Sequence, residues 1–285
     1  SPDKKPLELL YLKKLKNLLS KYKIKIHKYD PKIIAKNISS KKIVAFFSEG
    51  IEIGPRALGH RSFLADARSF DMKKILNNKI KHREGYRPFA PMVLKKDFKK
   101  YFTSNENNHP FMLQAPNCKK YALKNVPAIC HIDKTARVQT VTKDAGKVFD
   151  VLENYKKITN ESVIVNTSFN DNNEPIVLTK LDSLCAFMRC NADLLSWDNG
   201  YIIRKEIENQ NKFLKQILKL QQDVMDKYYL KSLHELTYIN DKSDKNLLYK
   251  FINSNLNLSE SYQIHSLNVR FNNFIQNRDK RKCLF

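Results

Sequence analysis

The sequence predicts an α/β domain over residues 1–205 and a helical appendage over residues 206–285. Up to residue 205, short apolar or β-branched segments alternate with amphipathic segments of helical period, which is the pattern of a sheet flanked by helices. After residue 206 the chain has no glycine and keeps a long helical period. The end of the chain is rich in Asn, Ser and Lys, which predicts weak order there.

Apolar residues at helical spacing predict five helices before residue 205. Ser69 or Asp71 is the expected cap of the third helix, and Thr179 is the expected cap of the fifth. In chain order, the segments are 6–22, a short stretch after Pro31, 69–80, about 143–157 and 178–190.

The strand predictions depend on short apolar runs and on turn residues. Asp198-Asn199-Gly200 is a typical hairpin turn, so "DLLSWDNGYIIRK" predicts two antiparallel strands. The other predicted strands are about 42–47, 89–94, 110–116, a pair around a turn within 129–141, and the β-branched run that opens 161–170.

The formal charge of +23 is typical of proteins that bind nucleic acid or acidic lipids. Lys and Asn are abundant along the whole chain, however, which is typical of solvated surfaces, whereas an RNA-binding face more often interleaves Arg with exposed aromatic residues. Nucleic acid is therefore not the expected partner, and a basic RNA-binding module is kept as the alternative. No apolar run is long enough for a membrane span, so no membrane partner is expected.

The five cysteines form an odd set without a CxxC motif. This usage indicates a reduced compartment, so a cytoplasmic location is expected and a structural zinc is not. Cys185 and Cys190 share an apolar helical stripe with Leu181 and Leu184, which predicts a place in the core. The first residues show no signal-peptide pattern.

Arginine is scarce in this chain and concentrated in its middle. Only 11 of the 52 basic residues are arginine. Arginine presents a planar fork that matches two oxygens of a phosphate or carboxylate, whereas lysine is a mobile point charge. The pattern predicts an oxyanion site, with structural pairing to Asp66 or Asp71 as the alternative for some arginines. The seven central arginines are Arg56, Arg61, Arg68, Arg83, Arg87, Arg137 and Arg189.

Four polar loops place hydrogen-bond donors next to breaks in the backbone pattern. They are "GPRALGHRS", "KHREGYRPFAP", "HIDKTARVQT" and "NTSFN". Ligands of α/β sheets bind beyond the carboxyl ends of strands, where such loops gather. This set of donors suits phosphoryl or acyl-phosphate chemistry, in which positioning and electrostatics do the work. The candidate residues are Arg56, Arg61, Lys81, Arg83, Arg87, His131, Thr135, Arg137, Asn166, Thr167, Ser168 and Asn170.

Two of these residues invite other interpretations. His131 has only His109 near it in sequence, without metal-ligand spacing, so no metal site is predicted. Ser168 lacks a GxSxG elbow, so a binding role is favoured over that of a nucleophile.

The four motifs follow the order and spacing of the carboxyl-terminal region of the carbamoyltransferase family, which includes nodulation and antibiotic O-carbamoyltransferases. The resemblance covers about 30–205 and implies a YrdC-like mixed sheet flanked by helices. It also implies that carbamoyl phosphate and ATP (with Mg) give carbamoyl-adenylate. Its Lys-x-Arg and Ser-x-Asn pairs match Lys81, Arg83, Ser168 and Asn170 as catalytic residues, and the other candidates are then substrate-binding.

The resemblance further implies a larger amino-terminal, actin/hexokinase-like domain that holds a metal and transfers the carbamoyl group to a hydroxyl acceptor. Nothing in this sequence resembles the histidine-rich metal site of that domain. We therefore expect a carboxyl-terminal fragment or one half of a split enzyme, with the partner domain in cis or in trans. The chain departs from the family pattern at Gly50, usually basic, and at Lys134 and Asn173, both usually Gly; Lys134 is expected to alter its turn.

Overall fold

A computed structural model of the chain describes residues 7–48, 50, 56–170 and 175–237, with the side chains of 11–48, 50, 56–170 and 175–224. The departure at Asn173 and the weak order predicted for the end of the chain lie outside the described residues.

The centre of the fold is a mixed sheet of eight strands in the order β1-β10-β9-β2-β3-β8-β4-β7. The pairs β2–β9 and β4–β7 are parallel, and the other neighbours are antiparallel. A second, two-stranded sheet pairs β5 with β6. The strands are β1 (His27–Lys28), β2 (Val44–Phe47), β3 (Arg61–Asp66), β4 (Ala90–Leu94), β5 (Phe102–Thr103), β6 (Asn117–Cys118), β7 (Gln139–Val141), β8 (Val163–Ser168), β9 (Leu194–Trp197) and β10 (Gly200–Ile203).

The described helices confirm the helical periods read from the sequence. The Thr179 hydroxyl accepts from the Asp182 amide in a capping box, as predicted, whereas Asp71 begins its helix without a side-chain bond. The α-helices are α1 (Leu7–Lys21), α2 (Pro31–Ser39), α3 (Met72–Leu76), α4 (Phe98–Tyr101), α5 (Lys120–Asn125), α6 (Lys147–Thr159), α7 (Lys180–Arg189) and α8 (Gln210–Thr237), and a π-helical turn, Asn77–Lys81, continues α3.

Helices cover both faces of the large sheet. Helices α2 and α6 pack on one face, where Ile38 and Leu152 meet Ile164 of β8 in one buried cluster. Helices α1, α3, α7 and α8 contribute to the buried cluster on the other face, which includes Phe63 and Val165. The predicted mixed sheet flanked by helices and the 193–205 hairpin are confirmed. Cys185 and Cys190 lie in the core, as expected.

Strand β3 was not predicted, although it lies at the centre of the sheet. Its apolar run is only Phe63–Ala65, with charged residues at both ends of the strand, so the local signal is short. Pairing with β2 on one side and β8 on the other buries all six residues. Tertiary pairing therefore forms this strand where local propensity gives little indication of it.

Two strand predictions were wrong. Residues 110–116 form no strand, because Met112 adopts a left-handed backbone conformation with φ 56° between two prolines. Within 129–141 only β7 is a strand, since Pro127–Ile129 turns as a 3₁₀-helix and Thr135 makes a single bridge to Asn117.

The first turns of α8 share the core of the preceding domain. Phe213 and Ile217 are buried with Tyr11 and Leu15 of α1, and the rings of Tyr22 and Phe213 lie 5.2 Å apart. The domain boundary near residue 205 stays a prediction. Among the described helices, none combines the length and apolar character that crossing a bilayer requires.

Candidate active site

The strand register brings the four predicted loops to one end of the large sheet. Phe47 at the end of β2 lies opposite Arg61 at the start of β3, and Ser62 lies opposite Ser168 at the end of β8. Ala90 at the start of β4 pairs with β8, and β7 begins beside β4. Because the sheet is mixed, this end combines carboxyl ends of β2 and β8 with amino ends of β3, β4 and β7. The rule that ligands lie beyond the carboxyl ends of strands therefore describes two of the four loops.

Lys81 joins two of these loops through a buried ammonium group. The residue is 5% exposed, although lysine is rarely buried without partners. Its Nζ lies 2.6 Å from the Ser168 carbonyl oxygen, 3.2 Å from Ser168 Oγ, 2.7 Å from Asn170 Oδ1 and 3.2 Å from the Asn170 carbonyl oxygen. Ser168 Oγ also donates to Asn170 Oδ1 at 2.7 Å. The structure thus brings together the Lys-x-Arg lysine and the Ser-x-Asn pair.

The π-helical turn explains how Lys81 reaches inward. Its wider turn is followed by His82, which takes a left-handed conformation with φ 46°. Such π turns are uncommon and frequently lie at functional sites. The buried Lys81 and the half-buried Arg83 are both placed by this turn.

Arg83 lies beside Lys81 with part of its guanidinium still available. Its Nε donates to Asn77 Oδ1 at 2.8 Å, and its guanidinium carbon lies 4.9 Å from the centre of the Phe89 ring. Within the described residues its two terminal nitrogens have no hydrogen-bond partner. Burial lowers the pKa of Arg83, and the nearby charge of Arg87 lowers it further. Arg87 itself is exposed and pairs with Glu84 at 3.3 Å.

A second group of cations forms around Arg137. Burial lowers the pKa of Arg137, and the charge of Arg56 adds to that effect. Burial likewise lowers the pKa of His131, with Lys73 and Arg137 acting in the same direction and Asp133 opposing them. Arg137 Nε is buried without a hydrogen-bond partner in the described part of the chain. This excess of positive charge favours a bound anion.

Asn166, one of the predicted substrate-binding residues, lies behind the loops. Asn166 is 1% exposed, and its Nδ2 donates to the Ala57 carbonyl at 2.9 Å and to Gln139 Oε1 at 3.0 Å. Gln139 Nε2 donates to the Leu58 carbonyl at 2.7 Å, so the pair fixes the backbone that follows Arg56. This geometry supports positioning by Asn166, and direct contact with a substrate stays a prediction.

Arg61 also belongs to the wall of the site. It is buried, its guanidinium lies 3.5 Å from the centre of the Phe47 ring, and Nη1 donates to the carbonyl oxygens of Ser48 and His60. It ties the end of β2 to the start of β3. Thr167 is half-buried in β8 opposite Phe63, and a substrate contact for it is untested.

The two described departures from the family pattern have left-handed backbones. Lys134 has φ 62° in the turn closed by the hydrogen bond from the His131 amide to the Thr135 carbonyl, a conformation that costs a non-glycine residue about 1 kcal/mol. Thr135 Oγ1 donates to Asp133 Oδ1 at 2.8 Å within the same turn. Gly50 has φ 90°, and a Cβ there would lie 3.1 Å from the His60 ring. A larger residue at position 50 would therefore strain the backbone and displace His60.

Three residues near the site were missed from the sequence. Asn77 holds Arg83, Lys73 lies near His131, and His60 Nδ1 lies 3.3 Å from Ser48 Oγ. His60 lies within the loop "GPRALGHRS" and could have been recognised there. Asn77 and Lys73 lie inside a predicted helix, where one sequence gives no sign of their loop contacts.

Protonation of His131 is expected to cost stability. Its folded-state pKa is lowered from the ordinary 6.5, so its contribution is fully present above about pH 6.5 and is lost as pH falls through the folded value. The melting temperature of the wild type should therefore fall more than that of His131→Gln between about pH 7 and 5. If the melting temperatures of the two proteins depended equally on pH, the lowered pKa of His131 would be contradicted. Because His131→Gln retains the other histidines, it controls for their protonation.

The fold and the loops together define an α/β domain with a mixed sheet and a cation-rich candidate site at one end of it. Residues 35–205 match the family model described as "Carbamoyltransferase C-terminus". The chain belongs to the carbamoyltransferase family and carries its carboxyl-terminal region, as the motifs predicted.

Curated relatives are much longer than the matched region. An uncharacterized protein of Methanocaldococcus jannaschii is 36% identical over 178 residues, covering 62% of this chain and 29% of the relative. Nodulation protein NolO of Bradyrhizobium diazoefficiens is 40% identical over 145 residues, covering 50% and 26%. The chain therefore spans less than a third of the length of these relatives.

Solved structures align over a similar region. Full-length HypF, in its phosphate- and nucleotide-bound form, aligns with a TM-score of 0.44 and 23% identity, over 61% of this chain and 25% of HypF. P. abyssi Sua5 complexed with L-threonine aligns with a TM-score of 0.43 and 14% identity, over 60% of this chain and 47% of Sua5.

Proposed function

We propose that this chain binds carbamoyl phosphate and ATP and forms carbamoyl-adenylate, which a partner domain transfers to a hydroxyl acceptor. The observation that carries the proposal is the convergence of four loops that hold two cationic groups at one end of the sheet. Membership of the carbamoyltransferase family supports carbamoyl chemistry.

The two cationic groups fit a reaction between two anionic substrates. Lys81 and Arg83 form one group, and Arg56 and Arg137, which lie beside His131, form the other. Two anions repel each other, which raises the free-energy barrier to their reaction. Positive charges that are already fixed in place at both sites lower this barrier, because the protein does not have to reorganise. We infer that Ser168 and Asn170, held by Lys81, orient the reacting carbamoyl group through short polar contacts.

Carbamoyl-adenylate forms in two steps. Water cleaves carbamoyl phosphate to carbamate, phosphate and a proton. An oxygen of the carbamate then attacks the α-phosphorus of ATP, and the bond to the β-phosphate breaks with departure of pyrophosphate. Positive charge near the leaving group stabilises the negative charge that develops there.

Mg²⁺ enters this proposal as part of the substrate. The described residues gather no group of three His, Cys, Asp or Glu side chains. Mg²⁺ would arrive on the phosphates of ATP, where it usually keeps few protein ligands. Four thiols buried in the described residues fit a reducing compartment, so we place the reaction in the cytoplasm.

The product of this reaction needs a partner. A mixed anhydride is labile in water, so a second domain must cover the site before transfer. We propose an actin/hexokinase-like carbamoyltransferase domain, in cis or in trans, as the carrier of the acceptor site and its metal. Efficient carbamoylation of an acceptor by this chain alone would contradict that division of roles.

Calorimetry and product release test the function together. The wild type should bind carbamoyl phosphate and ATP and release pyrophosphate only when both are present. An RNA duplex of arbitrary sequence is used as a third ligand, because it tests the alternative that this chain is a basic RNA-binding module. Tight RNA binding that weakens steeply with salt, without nucleotide binding, would favour that alternative.

Arg56→Lys and Arg83→Lys should each weaken ligand binding although the charge is kept. Lysine cannot reproduce the paired donors of guanidinium, so a loss of about 1–3 kcal/mol is expected for each variant. Lys99→Arg, at an exposed position, is the matched control and should leave affinity unchanged. If both Arg→Lys variants bind like the wild type, the paired-donor argument is wrong.

A further inference from the structure

Asn77 is a buried amide that lies outside the four sequence motifs. It is the first residue of the π-helical turn and is fully buried. Its Oδ1 accepts from Arg83 Nε at 2.8 Å, and its Nδ2 lies 3.0 Å from the Arg87 carbonyl oxygen and 3.3 Å from the Gly85 carbonyl oxygen. One side chain thus holds an arginine and the loop that follows it.

The direction of these bonds matters for Arg83. Asn77 engages the Nε–H and leaves both terminal nitrogens without partners in the described residues. Those two nitrogens are the ones that bind an oxyanion in parallel. A carboxylate at position 77 would bring a negative charge to this arginine, whereas the neutral amide orients it and leaves its charge for a ligand.

The backbone adds a second constraint. The Arg83 amide donates to the Asn77 carbonyl at 3.1 Å, so residues 77 and 83 are joined through both main chain and side chain. Phe89 lies against the guanidinium and limits its rotation. Arg83 is therefore held in one orientation before any ligand arrives, which reduces the entropy lost on binding.

We propose that Asn77 is a positioning residue that orients Arg83 for the anionic substrate. The proposal rests on the proposed function of the same site. It goes further because it makes the affinity contributed by Arg83 depend on a residue that does not touch the ligand.

A double-mutant cycle tests this dependence. Asn77→Leu keeps a similar volume and removes the amide, and it should weaken carbamoyl phosphate or ATP binding about tenfold or more in the wild type. In an Arg83→Ala background the same change should alter affinity less than about threefold. Ser183→Ala removes a buried hydroxyl that accepts from Trp197 Nε1 elsewhere in the fold. This variant controls for general loss of stability and should leave affinity unchanged.

A ligand-free measurement keeps the inference separate from the proposed function. In NMR spectra of protein with ¹⁵N-labelled arginine, the Arg83 Nε–H should exchange slowly with water in the wild type and in Ser183→Ala. It should exchange quickly in Asn77→Leu. Fast exchange in the wild type, or equal affinity losses in both arms of the cycle, would overturn the inference. If neither ligand binds while the exchange pattern is as expected, the proposed function falls and the orientation of Arg83 by Asn77 stands.

Discussion

Replacing Lys81 by methionine is expected to reduce carbamoyl-adenylate formation by at least about 10²-fold. The variant keeps the buried stem but removes the ammonium that holds two oxygens of Ser168 and two of Asn170. Without it, the loop after β8 loses its tie to the π-helical turn, and these oxygens lose a charged donor.

Pyrophosphate release in the presence of both substrates measures this loss. Lys79→Met is the matched control, because Lys79 lies in the same π-helical turn but is exposed. Circular dichroism must show that Lys81→Met remains folded. A folded Lys81→Met variant that retains wild-type turnover would remove Lys81 from the proposed mechanism.

Three of the four loops were predictable from composition because they contain arginine, which is scarce in this lysine-rich chain. The fourth loop, "NTSFN", was predictable because short polar residues follow a β-branched run. Their convergence was predicted from a rule for parallel strands, and it occurs in a mixed sheet for a different reason. Antiparallel pairing of β8 with β3 and β4 places one strand end beside two strand starts.

The wrong and missing sequence predictions have a common physical origin, because the structure at these positions depends on contacts beyond the local sequence. Strand β3 has a weak local signal and forms because two neighbours pair with it. Residues 110–116 have the apolar character of a strand, but Met112 turns the backbone away from extended geometry. Asn77 looks like any polar helical residue until the π-helical turn brings the next loop back to it.

The grouping of arginines was informative, but its members have different roles. Arg61 lies at the start of β3 beside the site, whereas Arg68 follows the other end of the same strand. Six residues of strand separate the two ends by roughly 17 Å. Arg68 pairs with Asp66 at 2.7 Å, so this arginine has the structural role that was the alternative to an oxyanion site. Asp71 makes no ion pair with Arg68 in the described residues.

Replacing Asp66 by alanine is expected to lower the free energy of unfolding by about 2–4 kcal/mol, because charged hydrogen bonds are lost and a buried hydroxyl is left unsatisfied. Asp66 is fully buried and accepts hydrogen bonds from the Arg68 side chain, from the Arg68 amide at 2.8 Å and from the Tyr155 hydroxyl at 2.7 Å. The carboxylate raises the pKa of Arg68, and burial together with Asp66 raises the pKa of Tyr155. Its removal leaves the buried Tyr155 hydroxyl without its acceptor and takes the carboxylate from Arg68, which keeps only the Ser39 carbonyl as an acceptor in the described residues.

Urea unfolding of Asp66→Ala and of Asp71→Ala separates this role from a general effect of losing a carboxylate. Asp71 is exposed and makes no capping bond, so its replacement should change stability by less than about 0.5 kcal/mol. Arg68→Lys should lower stability and leave ligand affinity unchanged, which is the reverse of the pattern expected for Arg83→Lys. A stability loss below about 1 kcal/mol in Asp66→Ala would show that this buried network contributes little. Because Asp66 is the last residue of β3 and Arg68 follows it, both lie at the end of the strand away from the site. Any large effect on ligand binding would instead mean that the two ends of the strand are coupled.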